Sequence, residues 1–134
     1  MTGYPFYGIF MTRMNEVIAT DEFAEWFQSI EEVYVNAIVV AVSKLESEGV
    51  SVGHPASSAI KGATFGLREL RIRSHGHALR IFYAFDPRRD AVLVIGGDKT
   101  GRNSDDFYDE MIAKSERIWS DYLAEQRRGE HDEE

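Results

Sequence analysis

Three strand patterns that follow one another closely constrain the fold of this 134-residue chain more than any other feature. Residues 67–73 and 78–85 alternate between apolar and polar side chains, and residues 91–96 form a nearly continuous apolar run. Alternation indicates a half-buried strand, whereas a continuous run is typical of a central strand buried on both faces. The intervening turns contain Gly76, which takes positive φ at low cost, and Pro87, which presets φ. We therefore predict three adjacent strands of an antiparallel sheet.

Helical periodicity precedes these strands. Residues 14–19 indicate a short strand, after which Thr20 or Asp21 can cap a helix. A second helix is predicted over about residues 31–48, and Gly49 ends it because glycine takes the left-handed conformation cheaply. The two predicted apolar faces consist of Phe23, Trp26, Phe27 and Ile30, then Val33, Ala37, Val40, Ala41 and Leu45.

The order of elements predicts one small α+β domain over residues 14–126. Residues 50–65 have the composition of a loop, and a last helix is predicted from Asn103 or Ser104. An N-terminal helical hairpin packed on one face of the sheet would leave the other face open. Residues 1–13 are an N-terminal extension of undetermined order, with Met11 and Met14 as alternative starts, and residues 127–134 are a charged tail that we expect to be disordered.

The charge of the chain is strongly segregated. The net charge is −8, but residues 1–60 carry −6, residues 61–102 carry +5 and residues 103–134 carry −7. Charges separated by more than a Debye length of about 8–10 Å are largely screened from one another. The basic central block can therefore bind an anionic partner although the net charge of the chain is negative. The chain has no cysteine, which excludes disulfides and a thiol nucleophile. No apolar run reaches the ~18 residues of a membrane span, so we expect a cytoplasmic protein without a membrane partner.

The basic block predicts a phosphate-binding groove. By strand alternation, Glu69, Arg71, Arg73 and Arg80 share the predicted open face, and an arginine fork binds phosphate oxygens in pairs. Because Arg80 is predicted to be an exposed strand residue, its truncation should cost on the order of 0.5 kcal/mol of stability. The alternative is a solvated sheet face on which Glu69 and the arginines merely pair with one another.

Four short motifs occur in a defined order: Leu-Arg-Glu-Leu-Arg at 67–71, Leu-Arg-Ile-Phe-Tyr at 79–83, Gly-Asp-Lys at 97–99, and Tyr108 at the head of a helix. Over about residues 14–123 the chain resembles the RelE/HigB family of toxins, most closely its phage-derived, Gp49-like branch. The resemblance implies a RelE-like small antiparallel sheet and the toxin of a type II toxin–antitoxin system. Such toxins enter the ribosome and cut mRNA there without a metal or cofactor, and each is inhibited by a cognate helix-turn-helix antitoxin. The resemblance also implies a homodimer or a toxin–antitoxin heterotetramer.

The resemblance also assigns roles. It implies that the catalytic residues are Arg71, Arg80, Lys99, Glu69 and Tyr108. Arg68, Arg73, Arg102 and Lys61 are the additional predicted RNA-binding residues.

The expected reaction is attack by the RNA 2′-hydroxyl on the adjacent phosphorus, with cations stabilising the growing charge. Lys99 or Tyr108 would assist proton transfer if neighbouring cations lowered its pKa, while Glu69 would either orient Arg71 or act as the base. Other functions remain open: a non-catalytic RNA- or ribosome-binding module, or a protein-interaction subunit. A phosphate loop at residues 96–100 and a metal site at His75 and His77 are weaker alternatives.

Overall fold

In the computed structural model, which describes residues 16–132, the three predicted strands form the centre of a five-stranded sheet. The strands are β1 (Val17–Ala19), β2 (Ser57–Ala59), β3 (Arg68–Ser74), β4 (His77–Phe85) and β5 (Ala91–Asp98). Their order across the sheet is β1-β5-β4-β3-β2. The β1–β5 pair is parallel and the other neighbouring pairs are antiparallel, so the predicted antiparallel arrangement of β3, β4 and β5 is confirmed.

Three helices complete the predicted α+β fold. They are α1 (Asp21–Ser29), α2 (Val35–Glu48) and α3 (Ser104–Asp132), with 3-10 turns at Glu32–Tyr34 and Gly49–Ser51 on either side of α2. Thr20 caps α1 as predicted, because its hydroxyl accepts a hydrogen bond from the Phe23 N–H at 3.0 Å. The same hydroxyl donates to the Val94 carbonyl at 2.8 Å and so ties the helix to β5. No helix within residues 16–132 combines the length and apolar character needed to cross a bilayer.

Helices cover both faces of the sheet, which corrects the prediction of an open face. Leu79, Ile81 and Tyr83 of β4 pack against α1 and α2. The alternate residues Phe82 and Ala84 point to the other face, where they pack with apolar residues of α3. The apolar stripe of α3 is more stable when packed against a half-apolar sheet face than when exposed to water, so α3 forms a second helical layer.

Helix α2 is oriented differently from the prediction. Ile38 and Leu45 are its buried residues, with relative exposure of 1% each. Val33 and Val40, which were predicted to lie on its buried stripe, are 52% and 61% exposed. Because α2 is apolar around most of its circumference, periodicity alone did not determine which side faces the sheet.

Two segments have more regular structure than expected. Strand β2 lies within the predicted loop 50–65 and pairs with the edge of β3, although serine and alanine are weak strand formers. Helix α3 continues to Asp132, so the prediction of disorder over residues 127–132 is wrong. The predicted extension, residues 1–13, lies outside the described residues.

Two adjacent glycines of β5 allow both helical layers to approach the sheet. A Cβ at Gly96 would lie 2.3 Å from the Trp26 ring of α1, and a Cβ at Gly97 would lie 3.1 Å from Phe107 and from Met111 of α3. The backbone of this segment is therefore covered by side chains on both faces. The alternative of a phosphate loop at residues 96–100 is not supported by this packing.

Asp86 anchors α3 to the turn between β4 and β5. Its buried carboxylate accepts hydrogen bonds from the backbone N–H groups of Arg88 and Asp90, at 2.9 and 3.0 Å. It also accepts bonds at 2.9 Å from the Tyr122 hydroxyl and the Gln126 amide, one helical turn apart on α3. Burial alone would raise the pKa of Asp86, but these hydrogen bonds outweigh burial and lower it.

Replacement of Asp86 by asparagine should destabilise the fold in a pH-dependent way. An amide cannot accept all four of these bonds, so we expect a loss of about 2 kcal/mol in the free energy of unfolding near pH 7. The lowered native pKa means that the stabilisation is complete above the unfolded pKa of about 4 and is lost as the pH falls through the native value. Urea unfolding at pH 7 and pH 3 should therefore show a smaller difference at pH 3. Asp121→Asn, an exposed change on α3, is the control, and an equal loss at both pH values would contradict the prediction.

Candidate active site

A buried carboxylate lies at the centre of the candidate site. Glu69 of β3 is 3% exposed and points toward α3. In the pairing of β3 with β4, Arg71 lies directly opposite Arg80, and Glu69 lies two residues before Arg71 on the same face. Tyr108, in the second turn of α3, reaches the same carboxylate from above the sheet. The predicted shared face of Glu69, Arg71 and Arg80 is therefore present.

Four side chains contact the two oxygens of Glu69. Oε1 accepts a hydrogen bond from the Tyr108 hydroxyl at 2.6 Å and lies 3.2 Å from Nε of Arg80. Oε2 accepts bonds from the Ser58 hydroxyl at 3.1 Å and from Nη2 of Arg71 at 3.4 Å. A carboxylate this deeply buried requires such partners, since an unpaired buried charge is strongly destabilising.

The side chains of Arg80 and Arg71 differ in exposure and in how firmly neighbouring groups hold them. The Arg80 side chain is 10% exposed, and it also donates from Nε to the Tyr108 hydroxyl at 3.3 Å and from Nη1 to the Leu79 carbonyl at 3.0 Å. The Arg71 side chain is 42% exposed, and its bond to Glu69 is long. Arg80 is thus a fixed cation and Arg71 an exposed one at the rim. The prediction that Arg80 is exposed is wrong, so its truncation is expected to cost more stability than an exposed residue would.

Tyr108 is held in its protonated form. Burial is the largest cause that raises its pKa, and the hydrogen bond donated to Glu69 raises it further, while Arg80 opposes the shift. The lowered pKa that proton abstraction by Tyr108 would require is therefore absent in this arrangement.

Lys99 and Arg102 follow β5 on the side of α3. Nζ of Lys99 lies 5.8 Å from the centroid of the Tyr108 ring, which places this cation beside the buried network. Arg102 lies over Phe107, with 5.4 Å between the guanidinium carbon and the ring centroid, and pairs with Glu110 at 2.9 Å. Lys99 therefore extends the cationic surface, whereas the charge of Arg102 is partly balanced by α3.

The other predicted RNA-binding residues are dispersed. Arg73 is exposed on the same face as Arg71, two residues further along β3. Arg68 points to the opposite face, where Nε donates to the Ser57 and Tyr83 hydroxyls at 3.2 and 3.3 Å. Lys61 lies exposed in the turn after β2. Of these three, only Arg73 extends the surface around Glu69.

Ser58 is a site residue that the sequence did not reveal. It reaches Glu69 only because β2 pairs with β3, with Ser58 directly opposite Glu69. A three-residue strand of serines and alanine carries no periodic signal, so no feature of the sequence could have identified it.

The two histidines form a separate cluster on the side of α2. Nδ1 of His77 lies 2.5 Å from Oδ2 of Asp98, and the Tyr34 ring lies 5.0 Å from His77 and 6.0 Å from His75 between centroids. Within residues 16–132, no three histidine or acidic side chains are grouped so that they would hold a metal ion. His77 is accordingly a hydrogen-bonding partner of Asp98 in this fold.

The arrangement is suited to bind an anion. Arg80, Arg71 and Lys99 surround a single carboxylate, so the local charge is positive, and α3 limits access of water to the fixed part of the cluster. A phosphate group could bind the exposed guanidinium of Arg71, with the fixed cation Arg80 behind it.

Comparison with known proteins gives consistent matches. The model of the family described as phage derived protein Gp49-like (DUF891) matches residues 25–120. "Putative toxin HigB3" of Mycobacterium tuberculosis is 33% identical over 114 residues, which cover 84% of this chain and 97% of that protein. "Putative toxin HigB2" of the same organism is 30% identical over 107 residues, 78% of this chain and 53% of that relative. The five residues predicted to be catalytic all lie within the family match.

Proposed function

Because the chain belongs to the phage-derived Gp49-like family of HigB-like toxins, we propose that it is the toxin of a type II toxin–antitoxin system and acts as a metal-independent, ribosome-dependent mRNA endoribonuclease. The observation that carries the activity is the buried Glu69–Arg80 pair with exposed Arg71 beside it. This arrangement presents fixed positive charge to a phosphodiester.

In the proposed reaction the 2′-oxygen of one nucleotide forms a bond to the adjacent phosphorus and releases its proton to a solvent water, and the bond from phosphorus to the 5′-oxygen breaks. The products are a 2′,3′-cyclic phosphate and a 5′-hydroxyl. Arg71 binds the non-bridging oxygens, and Arg80 adds a fixed charge that requires no reorganisation as negative charge grows. Requirement of the 2′-hydroxyl restricts the reaction to RNA.

The contacts favour an orienting role for Glu69 over that of a base. Its two oxygens already interact with Tyr108, Arg80, Ser58 and Arg71, which occupy its lone pairs. Tyr108 supports the same cluster in its protonated form. Lys99 is the remaining cation beside it, and we assign it the proton donated to the leaving 5′-oxygen.

A second function is favoured by one observation. In the free protein, neither Glu69 nor Tyr108 is positioned to remove a proton. A non-catalytic RNA- or ribosome-binding module would have the same property. Such a module would bind RNA through the same cations and leave mRNA intact.

Induced expression without antitoxin tests the proposal. We expect growth arrest together with new mRNA 5′ ends inside translated reading frames. Binding to ribosomes without new ends would favour the non-catalytic module. Soluble protein that changes neither growth nor mRNA ends would contradict the toxin function.

Cleavage should persist after chelation of metal ions. The proposed chemistry uses only side-chain cations, so EDTA should change the rate of cleavage of a ribosome-free RNA by less than about twofold. Ribosome dependence here means that the ribosome accelerates cleavage. Because ribosomes need magnesium, the suitable measurement is the much slower cleavage of free RNA at high enzyme concentration. Loss of cleavage in EDTA that added Mg²⁺ or Zn²⁺ restores would contradict metal independence.

A further inference from the structure

One residue of the Gly-Asp-Lys motif does not belong to the cluster around Glu69. Asp98 lies directly opposite Leu79 of β4, whose side chain packs toward α1 and α2. Directly opposite residues of neighbouring strands present their side chains to the same face of the sheet. Lys99, the next residue, lies beside the Tyr108 ring on the side of α3. Asp98 therefore faces away from a phosphate bound near Lys99 and can affect the reaction only through another residue.

The carboxylate of Asp98 connects two separate segments of the chain. Oδ2 lies 2.5 Å from Nδ1 of His77, the first residue of β4, and Oδ1 accepts a hydrogen bond from the Thr100 N–H at 2.9 Å. Burial raises the pKa of Asp98, but the bonds from Thr100 and His77 outweigh burial and lower it. Because an ionised carboxylate can only accept, Nδ1 of His77 carries the proton that joins the two side chains.

The backbone of Lys99 is fixed against the start of β4. The Lys99 N–H donates to the Ala78 carbonyl at 2.8 Å, and the Ala78 N–H donates to the Thr100 hydroxyl at 2.7 Å. Ala78 precedes Arg80 by two residues, so the two residues share a strand face. These bonds fix the backbone of Lys99 relative to Arg80. They depend on the turn at Thr100, which the carboxylate of Asp98 stabilises.

His77 is itself firmly held. It follows a two-residue turn in which His75 and Gly76 both have positive φ, of 48° and 79°. Positive φ at both turn residues is characteristic of the type I′ turn of tight hairpins. On the side of α2, the Tyr34 ring lies 5.0 Å from the His77 ring between centroids. His77 therefore provides Asp98 with a restrained hydrogen-bonding partner.

A lysine that donates a proton must be held in place. Its ammonium group lies at the end of a flexible four-carbon stem, so the position of the backbone decides where that group can reach. Lys99 lies just beyond the end of β5, and strand ends fray more easily than strand centres. A displacement of about 1 Å at a reacting group can reduce a rate by about 10²-fold. The bonds of Asp98 supply the restraint at this point.

We propose that Asp98 and His77 are positioning residues for Lys99, and that they fix its backbone so that its ammonium group can protonate the leaving 5′-oxygen. The consequence for catalysis rests on the proposed function, while the restraint on Lys99 does not. Asp98 and His77 do not contact RNA. Their loss lowers the rate of the chemical step and leaves the affinity for RNA unchanged, since the exposed cations Arg71 and Arg73 remain.

The rates of mRNA cleavage by Asp98→Ala, Lys99→Ala and the double variant test the proposal. We expect Asp98→Ala to lower kcat by about 10–100-fold and to change KM by less than about twofold. In the Lys99→Ala background the same substitution should have no further effect, because it acts through Lys99. Equal losses in both backgrounds would overturn the proposal. Asp121→Ala removes an exposed carboxylate of α3 and is the control, which should change neither parameter.

Two substitutions of His77 give a test that leaves Asp98 in place. His77→Asn keeps an N–H donor near the position of Nδ1, whereas His77→Ala removes it. We expect the asparagine variant to retain kcat within about threefold of the wild type and the alanine variant to resemble Asp98→Ala. Equal kcat values of the two His77 variants would overturn the proposal. Thermal melting establishes that all variants are folded.

Amide hydrogen exchange measures the restraint without RNA. In Asp98→Ala the Lys99 N–H should exchange at least about tenfold faster than in the wild type, while the Val92 N–H in the middle of β5 should be unchanged. Unchanged exchange at Lys99, or faster exchange at both residues, would overturn the proposal. A wild-type chain that cleaves no RNA would contradict the proposed function, and hydrogen exchange would then decide the restraint on Lys99 by itself.

Discussion

Replacement of Arg71 by alanine should lower the rate of mRNA cleavage by about 10²–10³-fold, the usual effect of removing one positioned donor to a charged transition state. Arg71 is the exposed cation of the cluster, and its only bond to Glu69 in the described structure is long. The fold should therefore be almost unaffected, with a change in the free energy of unfolding below about 0.5 kcal/mol. Primer extension on a defined mRNA in a purified translation system measures the rate.

Arg73→Ala is the matched control, since Arg73 is an exposed arginine on the same strand face, two residues from Arg71. It should weaken RNA binding and reduce its salt dependence with much less effect on the maximal rate. Equal effects of the two substitutions would indicate general electrostatic attraction in place of a catalytic role. Arg71→Lys should restore the activity only in part, because a point charge cannot bind two phosphate oxygens as a guanidinium does.

Replacement of Arg80 by alanine should destabilise the protein by about 3 kcal/mol, because the buried carboxylate of Glu69 loses its closest cation. Three contacts to Glu69 would remain, from Tyr108, Ser58 and Arg71, so we expect a loss at the lower end of the range for broken buried pairs. Urea unfolding measures the loss, and a loss below about 1 kcal/mol would show that Glu69 does not depend on Arg80.

A double-mutant cycle isolates the interaction. Glu69→Gln in the Arg80→Ala background removes the uncompensated charge, so the double variant should be more stable than the sum of the single effects predicts. Additive effects would mean that the two side chains are not coupled. Because Arg80→Ala lowers stability, its role in cleavage is better measured with Arg80→Lys, which keeps a charge next to Glu69.

Strand periodicity determined much of this site in advance. Alternation along β3 and β4 placed Glu69, Arg71 and Arg80 on one face, because successive side chains of a strand point to opposite sides. The ordered motifs around these residues also identified the family, which the comparisons confirm. The same alternation placed Arg68 away from the other arginines, so its prediction as an RNA-binding residue does not agree with the face to which it points.

Tertiary structure decided what covers each face. Periodicity does not reveal whether a polar strand face is open, and here α3 covers it, which buries Arg80 and Glu69 and keeps Tyr108 protonated. Periodicity predicts neither the contact of Ser58 with Glu69 nor the exposure of Val40, because both depend on which distant segments of the chain pack together. Sequence pattern determines which side chains share a face, whereas burial, and with it the energetic role of a charge, depends on contacts between segments far apart in the chain.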